Sequence, residues 1–184
     1  MNRRNLSVML AGALCFGAAA HAAPPTVASL YDSMVTAAEH DIVPLAQAMP
    51  DDKYGFAPTN GEFNGVRDFC DQIKHLAAVM YIASAASLQE KLPVDVGSEN
   101  GPPSIVNKNF ATEFLRYAFA YAHKAALALT EQNQLELVKS PFGEGQIPRA
   151  QAVAMAVWHA YDHYGQMVEY ARMNGVIPPA SRKQ

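Results

Sequence analysis

Four times along this chain, apolar residues recur at the three-to-four-residue spacing of a helix, each time over about 22 to 27 residues. No stretch alternates convincingly like a strand. The first helical stretch covers 27–48 and stops before Pro50. A loop of Asp, Gly, Pro and Asn fills 51–65, and the second helix is expected to start after Asn64, a residue suited to an N-cap, and run to about 88. Residues 91–104 hold three prolines and two glycines and read as loop. The third helix is expected over roughly 106–132. After Pro141, Gly143 and Gly145, the fourth opens at Pro148 and closes at Gly175, with Arg172 in its last turn. Pro178 and Pro179 prevent its continuation.

Four such helices predict an all-α four-helix bundle. The second connection decides its order. Antiparallel neighbours need only a few linking residues. A loop of roughly 15 to 18 residues reaches up to ~50–60 Å, against a helix length of ~35 Å. It can cross the whole bundle, which predicts a long crossover between helices 2 and 3 in place of a simple up-down-up-down order. No internal repeat or second domain is visible, so 23–184 reads as one domain.

Residues 1–22 are set apart. Arg3 and Arg4 precede an apolar run from Leu6 to Ala20 that is too short for a stable membrane span, and Ala20-His21-Ala22 fits the small-x-small cleavage pattern. This is the pattern of a secretory signal peptide, with the mature chain beginning near Ala23 and going to the periplasm or the exterior. An uncleaved membrane anchor is the alternative reading. Cys15 follows the bulky Leu14, which argues against lipid attachment. Half of the residues are hydrophobic, a globular composition. Without Arg3 and Arg4, 12 basic residues face 17 acidic ones, a net charge of −5. No Lys or Arg cluster offsets it, which argues against a nucleic-acid partner. Cys70 alone remains after cleavage, so no disulfide forms within the chain, and its place in an apolar stretch reads as a small buried hydrophobe.

The fourth helix carries His159 and His163. Positions i and i+4 share one helix face, so two imidazoles can point to a single ion. Ala152, Met155 and Ala156 lie on that stripe to one side, and Gln166 and Tyr170 to the other. Burying two imidazoles is costly unless their nitrogens find partners, and a metal would satisfy both. Two ligands hold a metal poorly. His75 is the candidate third: it shares a face of the second helix with Val79, Ile82 and Ala86, and with Asp68 and Asp71 toward the helix start. Both arms sit where an apolar stripe turns polar. If the two helices are antiparallel, the polar ends open at one rim, above a metal at the pocket floor. Asp71, Tyr164 and Gln166 are candidates to orient a ligand or act as a base. His40 and His123 read as surface residues beside charged neighbours.

In order along the chain, residues 49–58 (Met-Pro-Asp-Asp-Lys-Tyr-Gly-Phe-Ala-Pro), 66–77 with His75, 108–129, 159–166 and 175–179 resemble the DinB-like superfamily. The resemblance covers nearly all of the mature chain. It implies an up-down-down-up bundle, a homodimer in many members, and a divalent metal on three histidines, here His75, His159 and His163. Zinc or nickel come first, with iron or manganese as alternatives. It also implies metal-dependent transferases and isomerases that use low-molecular-weight thiols. The signal peptide departs from that chemistry, because those thiols are cytosolic.

The expected function is therefore a metal-dependent hydrolase or transferase acting on an unknown small molecule. Three neutral nitrogens with an open position make a catalytic kind of site, and neither a nucleophile triad nor a phosphate-binding Gly loop is present. The alternative is a non-catalytic helical dimer that binds a metal or a small ligand.

Overall fold

The computed structural model describes residues 24–183, so the expected signal peptide lies outside the described residues. Helix α1 spans Val27–Ala48, α2 Phe69–Leu88, α3 Lys108–Leu127 and α4 Arg149–Met173. Among the described residues, no helix is long and apolar enough to cross a membrane.

Each start has a local cause. Thr26 caps α1 through a reciprocal pair with Ser29, and Asn107 accepts from the Phe110 N–H at the start of α3. Helix α2 begins four residues later than Asn64 predicts. Its N-cap is Asp68, whose side chain accepts from the Asp71 N–H at 2.8 Å. The preceding loop satisfies the next two donors: Phe69 N–H reaches the Phe56 carbonyl, and Cys70 N–H the Tyr54 carbonyl. A helix beginning at Asn64 would give up these partners. Helix α3 is also shorter than expected at both ends.

One element has no counterpart in the sequence reading. Strands β1 (Leu137–Lys139) and β2 (Gln146–Pro148) form an antiparallel hairpin, with Val138 opposite Ile147. Three-residue strands are too short to display an alternating pattern.

Helix α1 packs on α3 and α4, and α2 packs on α3 and α4. Side-chain pairs give the directions. Gln72 meets Gln166 while Arg149 meets the Ser87 carbonyl, so α2 and α4 are antiparallel. Tyr81 stacks near Phe114, and Glu90 meets Lys124, so α2 and α3 are parallel. The order is up-down-down-up, with segment 89–107 as the crossover. Phe69, Ile73, Leu76, Phe119, Leu115 and Met167 are among the fully buried side chains that close the core. Helix α2 is buried on nearly every side, because the crossover lies over the face that its helical neighbours leave open. Cys70 is buried as expected, and burial pushes its thiol up to about 11, out of reactive range.

His40 is exposed, as its charged neighbours suggest, but His123 is not an ordinary surface residue. Its Nδ1 lies 2.6 Å from Asp32 Oδ1 and its Nε2 3.2 Å from Glu39 Oε2, so it clamps α3 to α1. Burial lowers its pKa, but the hydrogen bonds to Asp32 and Glu39 outweigh that and hold it above the ordinary value. A raised folded pKa stabilises most below the unfolded value of about 6.5 and loses that contribution as pH rises through the folded value. His123→Gln is therefore expected to cost about 1 kcal/mol at pH 6. The cost should shrink at pH 9, and urea unfolding at the two pH values measures it. An equal cost at both would show that the charge plays no part.

Candidate metal centre

His75 projects from the middle of α2 and meets His159 and His163 from α4. The antiparallel pairing of the two helices sets them at one height. Ring centroids are 5.0 Å apart for His75–His159, 4.6 Å for His75–His163 and 4.5 Å for His159–His163. One ligand nitrogen from each lies within 4.8 Å of the others. His75 and His163 are each 5 % exposed.

Hydrogen bonds determine which nitrogen faces inward. The Nδ1 of His75 meets the Glu99 carbonyl, which can only accept, so Nδ1 carries the proton and Nε2 the lone pair. The Nδ1 of His163 meets Gln72 Oε1, while Gln72 Nε2 donates to Gln166 Oε1 at 2.9 Å. His163 therefore also donates through Nδ1 and keeps its Nε2 lone pair free. The chain of amides ends at the Asp162 carboxylate, 3.5 Å from Gln166 Nε2.

The Nε2 atoms of His75 and His159 lie 3.1 Å apart. Two imidazole nitrogens on one ion, at ~2.0–2.1 Å each and at angles from square to tetrahedral, lie about 2.9–3.4 Å apart. The observed separation falls in that interval, so the donor set fits a divalent ion.

Burial drives all three imidazoles toward the neutral form that ligates metals. It lowers His75. It lowers His159 to about 4 and His163 to about 3, with their histidine neighbours and Arg67 adding to the effect. The positive charge of Arg67 is felt at all three.

The flanking residues fall differently from the sequence expectation. Asp71 does not reach His75. Its carboxylate is half-exposed and pairs with Lys74 Nζ at 2.7 Å, and the Glu99 carbonyl takes the orienting place instead. A main-chain acceptor from a distant loop has no residue-type signal, so no reading of the sequence finds it. Gln166 acts one link away, through Gln72. Gln72 itself was missed, although at i−3 from His75 it shares the same helix face, a signal that could have found it. Tyr164 lies beside Tyr161 and Asp41, on the α1 side of its helix. The opening also differs. Gln72 and Gln166 close the polar end. The cavity beside the triad, about 100 Å³, lies on the apolar side, where Val79, Phe142, Met155 and Trp158 join His75 and His159.

Gly101 sets the crossover. Its φ is +80°, and a Cβ there would stand 2.6 Å from Lys74 Cβ and 3.0 Å from the Lys74 carbonyl oxygen. The loop thus rests on α2 one residue before His75. Gly101→Ala is expected to lift it, costing about 1–3 kcal/mol of stability. Metal affinity should fall about tenfold as His75 loses its acceptor. Urea unfolding and metal titration measure the two effects, and an unchanged affinity would remove Glu99 from its orienting role.

Fold and histidines together define a crossover four-helix bundle with a three-histidine cluster suited to a metal. The DinB superfamily model matches residues 34–167, and the chain belongs to that superfamily. The crystal structure of a DinB-like protein from Bacillus cereus ATCC 10987 is similar in fold, with a TM-score of 0.65 at 12% identity, covering 81% of this chain and 93% of that one. No curated protein matches the chain.

Proposed function

We propose that this chain is an exported metal-dependent enzyme that hydrolyses, or transfers a group from, a small molecule. The observation that carries the reading is the set of three clustered imidazoles, His75 and His163 buried and His159 partly buried, whose His75 and His159 Nε2 atoms face each other at 3.1 Å beside a cavity. His75, His159 and His163 would hold a divalent ion, zinc or nickel before iron or manganese, which would supply Lewis-acid chemistry and lower the pKa of water there.

The chain's own groups prepare that position. The Glu99 carbonyl and the Gln72 amide hold the Nδ1 protons of His75 and His163, which fixes both rings with Nε2 inward. Gln166 is a positioning residue that acts through Gln72. Arg67 biases the triad toward an anionic group. Asp71 is tied to Lys74 and would have to leave that pair to serve as a base. Export favours hydrolysis over transfer to cytosolic thiols. The resemblance further suggests a homodimer, which light scattering measures.

The test uses the mature chain from Ala23, assayed for bound metal and against esters, amides and thiol adducts. Turnover should vanish on chelation and return with zinc or nickel. Turnover that survives chelation overturns the reading. Stoichiometric metal without turnover on any substrate class would favour a metal-dependent binder.

A further inference from the structure

The cavity beside the triad is built from four separate segments, with Glu99 contributed by the crossover. Val79 comes from α2, Met155 and Trp158 from α4, and Phe142 from the tip of the β1–β2 hairpin. The tip is held in place. Ser140 N–H donates to the Gly145 carbonyl at 3.0 Å, and Ser140 Oγ donates to the Phe142 carbonyl at 2.5 Å. At its base, Arg149 Nη1 donates to the Ser87 carbonyl at 2.7 Å, and Nη2 pairs with Glu136 at 2.8 Å. These bonds hold the backbone at Phe142 beside the cavity.

Trp158 is 58 % exposed and Phe142 37 % exposed, so neither is spent on the core. Water against two aromatic rings at one cavity mouth is unfavourable, and an apolar group seated between them would displace it. The polar lining residues are His75, His159 and Glu99. The cavity touches two of the three clustered histidines, His75 and His159. At about 100 Å³ it is small. With about 30 Å³ per water-sized unit, it accepts three or four carbon atoms.

We propose that Val79, Phe142, Met155 and Trp158 form a specificity subsite for a short alkyl group of three or four carbons, carried by a substrate whose carbonyl head lies at His75 and His159. The substrate class is a short-chain acyl compound. This inference rests on the metal reading above for the head group, but not for the tail.

The probes are acetohydroxamate and isobutyrohydroxamate, which share a metal-binding head and differ by two carbons. Titration into the zinc-loaded mature protein is followed by calorimetry and by Trp158 fluorescence, since this is the only tryptophan in the chain. Isobutyrohydroxamate is expected to bind about 15-fold tighter, about 4-fold for each buried carbon. Only its binding should shift the Trp158 emission strongly. Phe142→Ala and Trp158→Ala, both at exposed positions, should reduce the ratio to about 3-fold or less, with the loss falling mainly on isobutyrohydroxamate. Equal affinities in the wild type, or a 15-fold ratio kept in both variants, overturns the subsite. If metal analysis finds no bound zinc, the metal reading fails separately. Isobutyramide against acetamide on the metal-free protein then decides the tail site: selective quenching of Trp158 by isobutyramide supports it, and equal effects overturn it.

Discussion

His163→Ala is expected to reduce bound metal to background while the bundle stays folded. The imidazole supplies one of three nitrogens, and the two that remain leave the ion short of the coordination a stable site requires. The fold survives because the lost group is a buried imidazole, not a core apolar anchor. Its removal leaves a small void and frees the Gln72 amide, at about 1–3 kcal/mol. A graded comparison sharpens the result. Gln72→Leu keeps all three nitrogens but removes the acceptor on His163 Nδ1, along with the donor to Gln166, so its metal affinity should fall about 10–100-fold without vanishing. Elemental analysis and metal titration, with circular dichroism to confirm folding, measure both. If His163→Ala binds as much metal as the wild type, the triad is not the site.

The metal-free protein should lose stability steeply in mild acid. His159 and His163 are held neutral by burial, at about 4 and about 3, whereas in the unfolded chain they take up protons near 6.5. A depressed folded pKa means that the unfolded state binds more protons between those values. The stability is present above pH 6.5 and drains away as pH falls toward 4. Over pH 7 to 5 the two groups together represent a loss on the order of 3 kcal/mol, a large part of a typical domain's total. Urea unfolding of the chelated protein at pH 7, 6 and 5 checks this. The double variant His159→Gln, His163→Leu should flatten the profile even if it is less stable overall. A wild-type profile as flat as the variant's would show that neither imidazole is held neutral. Saturating zinc should keep the folded protein stable to lower pH, since protons and metal compete for the same lone pairs.

The sequence showed what repeats along a helix and hid what depends on chain crossings. The i, i+4 spacing of His159 and His163 and the apolar stripes were enough to set them on one buried face. The length of the second connection was enough to predict the crossover. Asn64 and Asp68 are both good caps, and only the carbonyls of Tyr54 and Phe56, delivered by tertiary packing, decide between them. Asp71 looked like the partner of His75 because it is acidic and four residues away. Lys74 competes for it at 2.7 Å, and the place it left is filled from the crossover. The hairpin carrying Phe142 has strands too short to register as a pattern.

The contact between Glu99 and His75 has a consequence for how this site tolerates change. The acceptor is the carbonyl, a group every amino acid carries, so most side chains at position 99 would leave the bond intact. The demand for a particular residue moves two positions along, to Gly101, where the backbone touches α2 and no Cβ fits. In a library randomised over 98–101, variants that retain the full metal affinity should be diverse at 99 and almost uniform at 101. The residue making the contact would look dispensable, and the one that touches no histidine would look essential.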